Sequence, residues 1–189
     1  MENEGTSQLT AEDVIGRRVL ILGEVRSGKT ALLARLLKEL TEVADAKEIT
    51  VIDLAPQRIG EIGGKISDYL DSVEEIRYLS PKRVYTPRVT GSSREEVLAY
   101  AELNRSLMEP LFAEFVQRAT KVLVLNDVTL YLHAGELGRI LNCVKLAETF
   151  VATAYYGSRL AQDRGAGISI REKKLIRKLA SYVDQIVKM

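Results

Sequence analysis

The chain has 189 residues, with 27 basic and 26 acidic side chains and a formal net charge of +1. Its 46% hydrophobic and 28% charged content is that of an ordinary globular protein, long enough to bury a sizeable core as one domain over 1–189. The balance excludes a protein dominated by a one-signed field for nucleic acid or an anionic membrane, and no apolar run nears the ~20 residues of a membrane span.

The opening "MENEGTSQLTAEDV" is acidic and polar, unlike a secretory leader, so a cytoplasmic location is expected. Residues 1–9 read as a loose tail, and "TAED" at 10–13 has capping-box spacing for a short helix. "RVLILG" at 18–23 reads as a buried parallel strand ending in glycine. After Lys29, leucine and alanine recur at 32, 33, 36, 37 and 40, the spacing of one helix face. "EITVID" at 48–53 is a second strand.

Residues 54–92 form a loop-rich insertion. "IGEIGGK" at 59–65 is glycine-rich enough to suggest a second phosphate or substrate loop, and a short helix is expected near "ISDYLDSVEEI". Lys82, Arg83 and Arg88 with Tyr85 have the composition of a basic-aromatic patch, but without an overall charge bias nucleic acid is a weak expectation. A long helix follows, capped at Ser92 or Ser93, with Pro110 expected to kink or divide it.

"KVLVLND" at 121–127 is the most apolar strand. "AGELGRILNCVKLAE" is helical, "TFVATAYYG" a strand, "SIREKKLIRKLASY" a helix with Ser169 and Glu172 at capping-box spacing, and "VDQIVKM" a last strand. Strands alternating with helices predict a three-layer α/β/α sandwich around a mostly parallel sheet of about five strands. Ligands of such sheets sit at the carboxyl ends of the strands. Cys143 and His133, the lone cysteine and lone histidine, are read as structural, since neither has a partner at disulfide or metal-ligand spacing. Tyr155 and Tyr156 are read as packing residues.

Between the first strand and its helix lies Gly23-Glu24-Val25-Arg26-Ser27-Gly28-Lys29-Thr30, a G-x-x-x-x-G-K-T run followed by Ala31. The place suits a phosphate cradle. Glycines let the backbone wrap an anion, loop N–H groups and the helix N-terminus supply positive potential, Lys29 reaches phosphate oxygens and the Thr30 hydroxyl faces Mg²⁺. By chance this run arises in roughly one chain in two hundred of this size, and the strand-before, helix-after context lowers that further.

With this motif the chain resembles the P-loop NTPases, "GEVRSGKT" standing as their Walker A sequence. The resemblance implies binding of ATP or GTP with Mg²⁺. It also implies an acid at the end of a hydrophobic strand beside the metal. Asp127, after "KVLVLN", is the preferred residue and Asp53, after "ITVI", the other. In small-molecule kinases of the superfamily an acid at the position of Asp53 contacts the acceptor. The late placing of the Asp127 strand is similar to the RecA-like branch, where sites lie at subunit interfaces of oligomers and a neighbour supplies an arginine.

Two departures narrow the reading. RecA-like ATPases carry Glu after the strand-end Asp to orient water. Here that residue is Val128, with Glu136 or Glu61 as the remaining substitutes. No N-K-x-D motif for guanine follows Asp127, which favours ATP. Arg159, Arg164 and Arg171, interleaved with Gly157, Gly165 and Gly167, are candidates for a lid and for neutralising transferred phosphate, Arg159 first because it lies nearest the strand end.

The expectation is therefore an ATP-binding protein and a slow or partner-regulated Mg-dependent ATPase. Alternatives are a small-molecule or nucleotide kinase, a transferase similar to corrinoid adenosyltransferases (whose loop, G-x-G-K-G-K-T, and strand end, L-D-E, differ), or a scaffold that binds ATP without hydrolysis. Lys29, Asp127 and Arg159 are the expected catalytic residues. Residues 23–31 are expected to hold nucleotide, and Thr30, Asp127 and Asp53 to face the metal.

Overall fold

The computed structural model describes residues 9–58 and 64–189. Its strands are β1 (Arg18–Gly23), β2 (Ile49–Asp53), β3 (Arg77–Leu79), β4 (Val122–Asn126), β5 (Thr149–Tyr155) and β6 (Gln185–Lys188). They form one six-stranded sheet in the order β3-β2-β4-β5-β1-β6, and every pairing is parallel. Its helices are α1 (Ala11–Val14), α2 (Lys29–Val43), α3 (Pro87–Thr90), α4 (Arg94–Gln117), α5 (Val128–Leu132), α6 (Leu137–Leu146) and α7 (Ile168–Ala180). The fold is a three-layer α/β/α sandwich.

Successive strand residues point to opposite faces, so each strand feeds two cores. Leu20, Ile52, Leu123, Leu125, Phe150 and Ala152 pack on the side covered by α4, α5, α6 and α7. Val19, Ile21, Val51, Val122, Val124 and Val151 pack on the side covered by α1 and α2. Strands buried on both faces explain their unbroken apolar runs.

Several details differ from the sequence reading. The sheet has six strands rather than five because β3, only three half-buried residues long, pairs with β2 at the sheet edge. Pro110 does not divide its helix. α4 runs unbroken for 24 residues, with Val97, Ala101, Met108, Phe112 and Phe115 buried along it, so packing on both sides of the proline holds one helix. Leu9 is no part of a tail. It is buried, and its carbonyl accepts a bond from Arg35 Nη2 at 2.8 Å. Ser93 is the cap of α4, accepting from the Glu96 N–H. Ser169 and Glu172 do not cap α7. The cap is Gly167, in the left-handed region at φ 77°, which places both residues inside the helix and turns them into the core. In the insertion, a short 3₁₀ turn at Ile66–Tyr69 stands where a helix was expected. Among the described residues no helix is long and apolar enough to cross a membrane.

Candidate functional site

A cavity of about 430 Å³ opens at the carboxyl ends of the strands. Four chain regions line it: the loop after β1, the insertion, the end of β4 with the segment that follows it, and the end of β5 with the residues just beyond.

The first wall is residues 25–31. Gly28 adopts φ 87° as the cap of α2, a conformation that favours glycine, and no side chain caps this helix end. The first-turn amides of a 15-residue helix thus keep their positive potential. Gly23 and Glu24 lie behind the wall. A Cβ on Gly23 would come within 2.5 Å of Ser27 Oγ and 2.8 Å of the Met189 carbonyl, so the start of the loop tolerates only glycine.

Lys29 curls back over this loop. Its ammonium donates to the Gly23 carbonyl at 3.0 Å, to the Glu24 carbonyl and to Ser27 Oγ at 3.3 Å. Burial pushes it below the ordinary lysine range, against the pull of Asp127 and Glu24. A cation desolvated this way is stabilised by any anion entering the cavity.

Glu24 ties the loop to the segment after β5, the strand next to β1. Its Oε1 accepts the Arg159 N–H at 3.2 Å and the Ser158 N–H, and a Cβ on Gly157 would fall 2.0 Å from that same oxygen. Burial works to raise the Glu24 carboxyl, but amide donors from Ser158, Arg159 and Val25 outweigh it and hold the carboxyl below the usual range. Arg159 therefore meets the loop through its backbone. Its side chain is exposed and does not line the cavity.

The second wall comes from β4 and α5. Asp127 follows the strand in the left-handed region, φ 58°, a conformation Asp adopts more readily than most residues. Its N–H donates to Thr153 Oγ1 at 2.9 Å, while its Oδ1 is buried without a hydrogen-bond partner among the described residues. Burial pushes its carboxyl up, opposed first by Lys29. Thr129, Leu130 and His133 line the cavity from the same segment, whereas Val128 is fully buried in the core. Glu136 is exposed and does not line the cavity. Glu61, and most of the 59–65 glycine run, lie outside the described residues.

Asp53 stands apart. It is fully buried, and both its oxygens are committed, to the Ala55 N–H at 3.2 Å, Asn126 Nδ2 at 3.0 Å, the Ile66 N–H at 2.7 Å and the Tyr78 hydroxyl. It is absent from the cavity lining. This carboxylate organises the start of the insertion, and its lone pairs are too occupied to serve as a metal ligand.

The third wall is the insertion itself, with Arg88 at its centre. Arg88 Nη1 contacts Glu172 Oε1 at 2.6 Å and Ser169 Oγ at 3.2 Å, and its guanidinium lies 5.1 Å from the Tyr155 ring centroid. The second Glu172 oxygen meets His133 Nε2 at 2.7 Å. The side chains of this trio are 5%, 0% and 1% exposed for Arg88, Glu172 and His133. His133 Nδ1 is buried and has no partner among the described residues. The sequence reading gives each a different role: Arg88 in a basic-aromatic patch, Glu172 in a helix cap, His133 as structural. The one available signal was an arginine in a proline-flanked insertion with no carboxylate near it in sequence.

The other arginines act elsewhere. Arg171 donates to the Leu132 carbonyl at 3.2 Å and the Gly135 carbonyl at 2.8 Å, fastening α7 to the end of α5. Arg164 is exposed. Arg83 lies over Tyr85, which stacks on Tyr100 at 5.2 Å, so the basic-aromatic residues pair with one another. Tyr155 packs in the core as expected but also faces the cavity.

Thus residues 25–31 and Asp127 share one cavity with Arg88 and His133. Three buried polar atoms lack partners among the described residues, on Glu24, Asp127 and His133, and the last two belong to cavity-lining residues. Such orphans are rare in a finished interior and mark where a ligand, ion or water completes the bonding. Among the described residues no three His, Cys, Asp or Glu side chains cluster as a metal cage. Mg²⁺ needs no such cage, because one or two protein oxygens, waters and substrate phosphates suffice. Thr30 and the unpartnered Asp127 oxygen fit that role.

No family model and no curated protein matches this chain. Among solved structures it is similar to a chain from Pyrococcus horikoshii OT3, described only as a structural study. That chain shares 14% identity with a TM-score of 0.45, covering 95% of this chain and 87% of the other.

Proposed function

We propose that the chain is a P-loop nucleotide-binding protein that takes ATP with Mg²⁺ and turns it over slowly or under the control of a partner. The observation that carries the reading is the pairing, across one cavity, of a glycine-shaped loop and desolvated Lys29 with the unpartnered oxygen of Asp127. Residues 25–31 would enclose the phosphates, with Lys29 leaving the loop carbonyls for phosphate oxygens. Thr30 and Asp127 would hold Mg²⁺, which supplies charge neutralisation between the phosphates. The insertion, through Arg88, Pro87 and Val89, would close the opposite side and exclude water.

Slow turnover is supported by Val128, which puts an apolar side chain, turned into the core, at the position after Asp127. The kinase reading, with Asp53 contacting an acceptor, is disfavoured by that residue's full set of donors.

The test is equilibrium binding of ATP and GTP with Mg²⁺ to the wild type and to Lys29→Ala, alongside phosphate release. Binding lost in Lys29→Ala supports the reading. Binding of neither nucleotide to the wild type refutes it.

A further inference from the structure

The sequence reads His133 as structural, yet its placement is unusual for a residue with no other role. It is 3% exposed, lines the cavity, and leaves Nδ1 without a partner among the described residues, although a histidine kept only for packing normally satisfies both ring nitrogens. Its other nitrogen is fixed by Glu172 at 2.7 Å, and Glu172 is itself held by Arg88 at 2.6 Å. A carboxylate accepts, so Nε2 donates, and that hydrogen bond selects the tautomer whose Nδ1 bears a free lone pair. The chain Arg88–Glu172–His133 therefore orients an imidazole with its basic nitrogen unoccupied. It ends on the same short segment as Asp127.

Among the described residues, none of the expected acids is placed to orient a water in the cavity. Val128 is sealed in the core, Glu136 is exposed and outside the cavity, and Asp53 is saturated. Among the described residues lining the cavity, Asp127 is the sole carboxylate, and the P-loop reading assigns it to the metal.

We propose, resting on the nucleotide reading above, that His133 is the general base for water attacking the terminal phosphate. The water oxygen forms a bond to the terminal phosphorus as the bond from that phosphorus to the bridging oxygen breaks. The electron pair leaves on the nucleoside diphosphate. The water proton passes to Nδ1 and returns from there to product phosphate or solvent. Glu172 and Arg88 are positioning residues, keeping the ring in one tautomer as an oriented partner does in other hydrolytic sites.

The experiment measures Mg-ATP binding and phosphate release for the wild type, His133→Ala and His133→Gln. Glutamine keeps an amide donor for Glu172 but lacks a basic nitrogen, so it guards against loss of fold. A general base contributes roughly 100- to 10,000-fold. The expected result is phosphate release reduced by about 100-fold or more in both variants, affinity within about threefold of wild type, and partial rescue of His133→Ala by added imidazole. Imidazole rescue is a readout that a merely structural histidine would not give. Either variant releasing phosphate at close to the wild-type rate overturns the inference while leaving the nucleotide reading intact. A wild type that binds ATP but releases no phosphate also overturns it. Failure of the wild type to bind nucleotide removes the reading of residues 23–30 and this inference with it.

Discussion

Replacing Arg88 by methionine leaves the Glu172 carboxylate in the core without its cation. The two side chains are 5% and 0% exposed, and the contact is 2.6 Å. Removing one partner of a buried ion pair costs about 3–5 kcal/mol, because the remaining charge stays desolvated. Here His133 Nε2 still donates to the other oxygen at 2.7 Å, which places the cost near the lower end, about 3 kcal/mol. Ser169 Oγ and the Tyr155 ring lose the guanidinium too, so methionine recovers packing but not these contacts. In a chain of this length 1 kcal/mol shifts Tm by about 2–4 °C, giving an expected drop of roughly 6–12 °C. The double variant Arg88→Met with Glu172→Gln removes the stranded charge and should regain most of the loss. Thermal and urea unfolding of the wild type, both single variants and the double variant measure this as a coupling energy. A loss below about 1 kcal/mol for Arg88→Met, or no coupling with Glu172, would refute the claim that this pair pins the insertion to α7.

Two further outcomes are expected. Asp127→Asn should stabilise the ligand-free protein by about 0.5–2 kcal/mol, as removing a strained functional group often does, while weakening Mg-dependent nucleotide binding. Burial pushes the Asp127 carboxyl up, so the wild-type residue's contribution worsens as pH rises through its titration, and the gain in Tm should be larger at pH 7 than at pH 4. Cys143 is buried and its thiol is pushed up to about 12 by burial, so it should resist alkylation in the native state and react only on unfolding. The sign for stability follows: the unfolded thiol ionises near pH ~8.5 while the folded one stays protonated, so this residue's contribution falls as pH climbs from about 9 toward 12.

Local periodicity carried most of the elements. β1, β2, β4 and β5 are apolar on both faces because helices cover both, and that leaves unbroken runs any reader finds. The loop at 23–30 was equally plain, since its glycines are demanded by close approach at Gly23 and by φ 87° at Gly28. What escaped depends on contacts between distant residues. β3 is three half-buried residues whose strand character comes only from pairing with β2. Arg88 and Glu172 are 84 residues apart, and Glu172 sits among Arg171, Lys173 and Lys174, a run with the composition of a solvated helix face. The lone histidine had no partner spacing because its partner arrives from α7, 39 residues later. Conversely, Arg159 looked best placed by sequence distance from β5, but Glu24 engages the backbone there and leaves the side chain outside.

The most direct measurement is isothermal titration of Mg-ATP into the wild type and Lys29→Ala. The central claim is that the residues around Lys29 and Asp127 form a nucleotide-phosphate site. It predicts saturable binding to the wild type, loss of at least about 100-fold in affinity for Lys29→Ala, and a native-like melt for that variant. Equal affinity for both proteins, or no heat of binding from the wild type with either ATP or GTP, would contradict it.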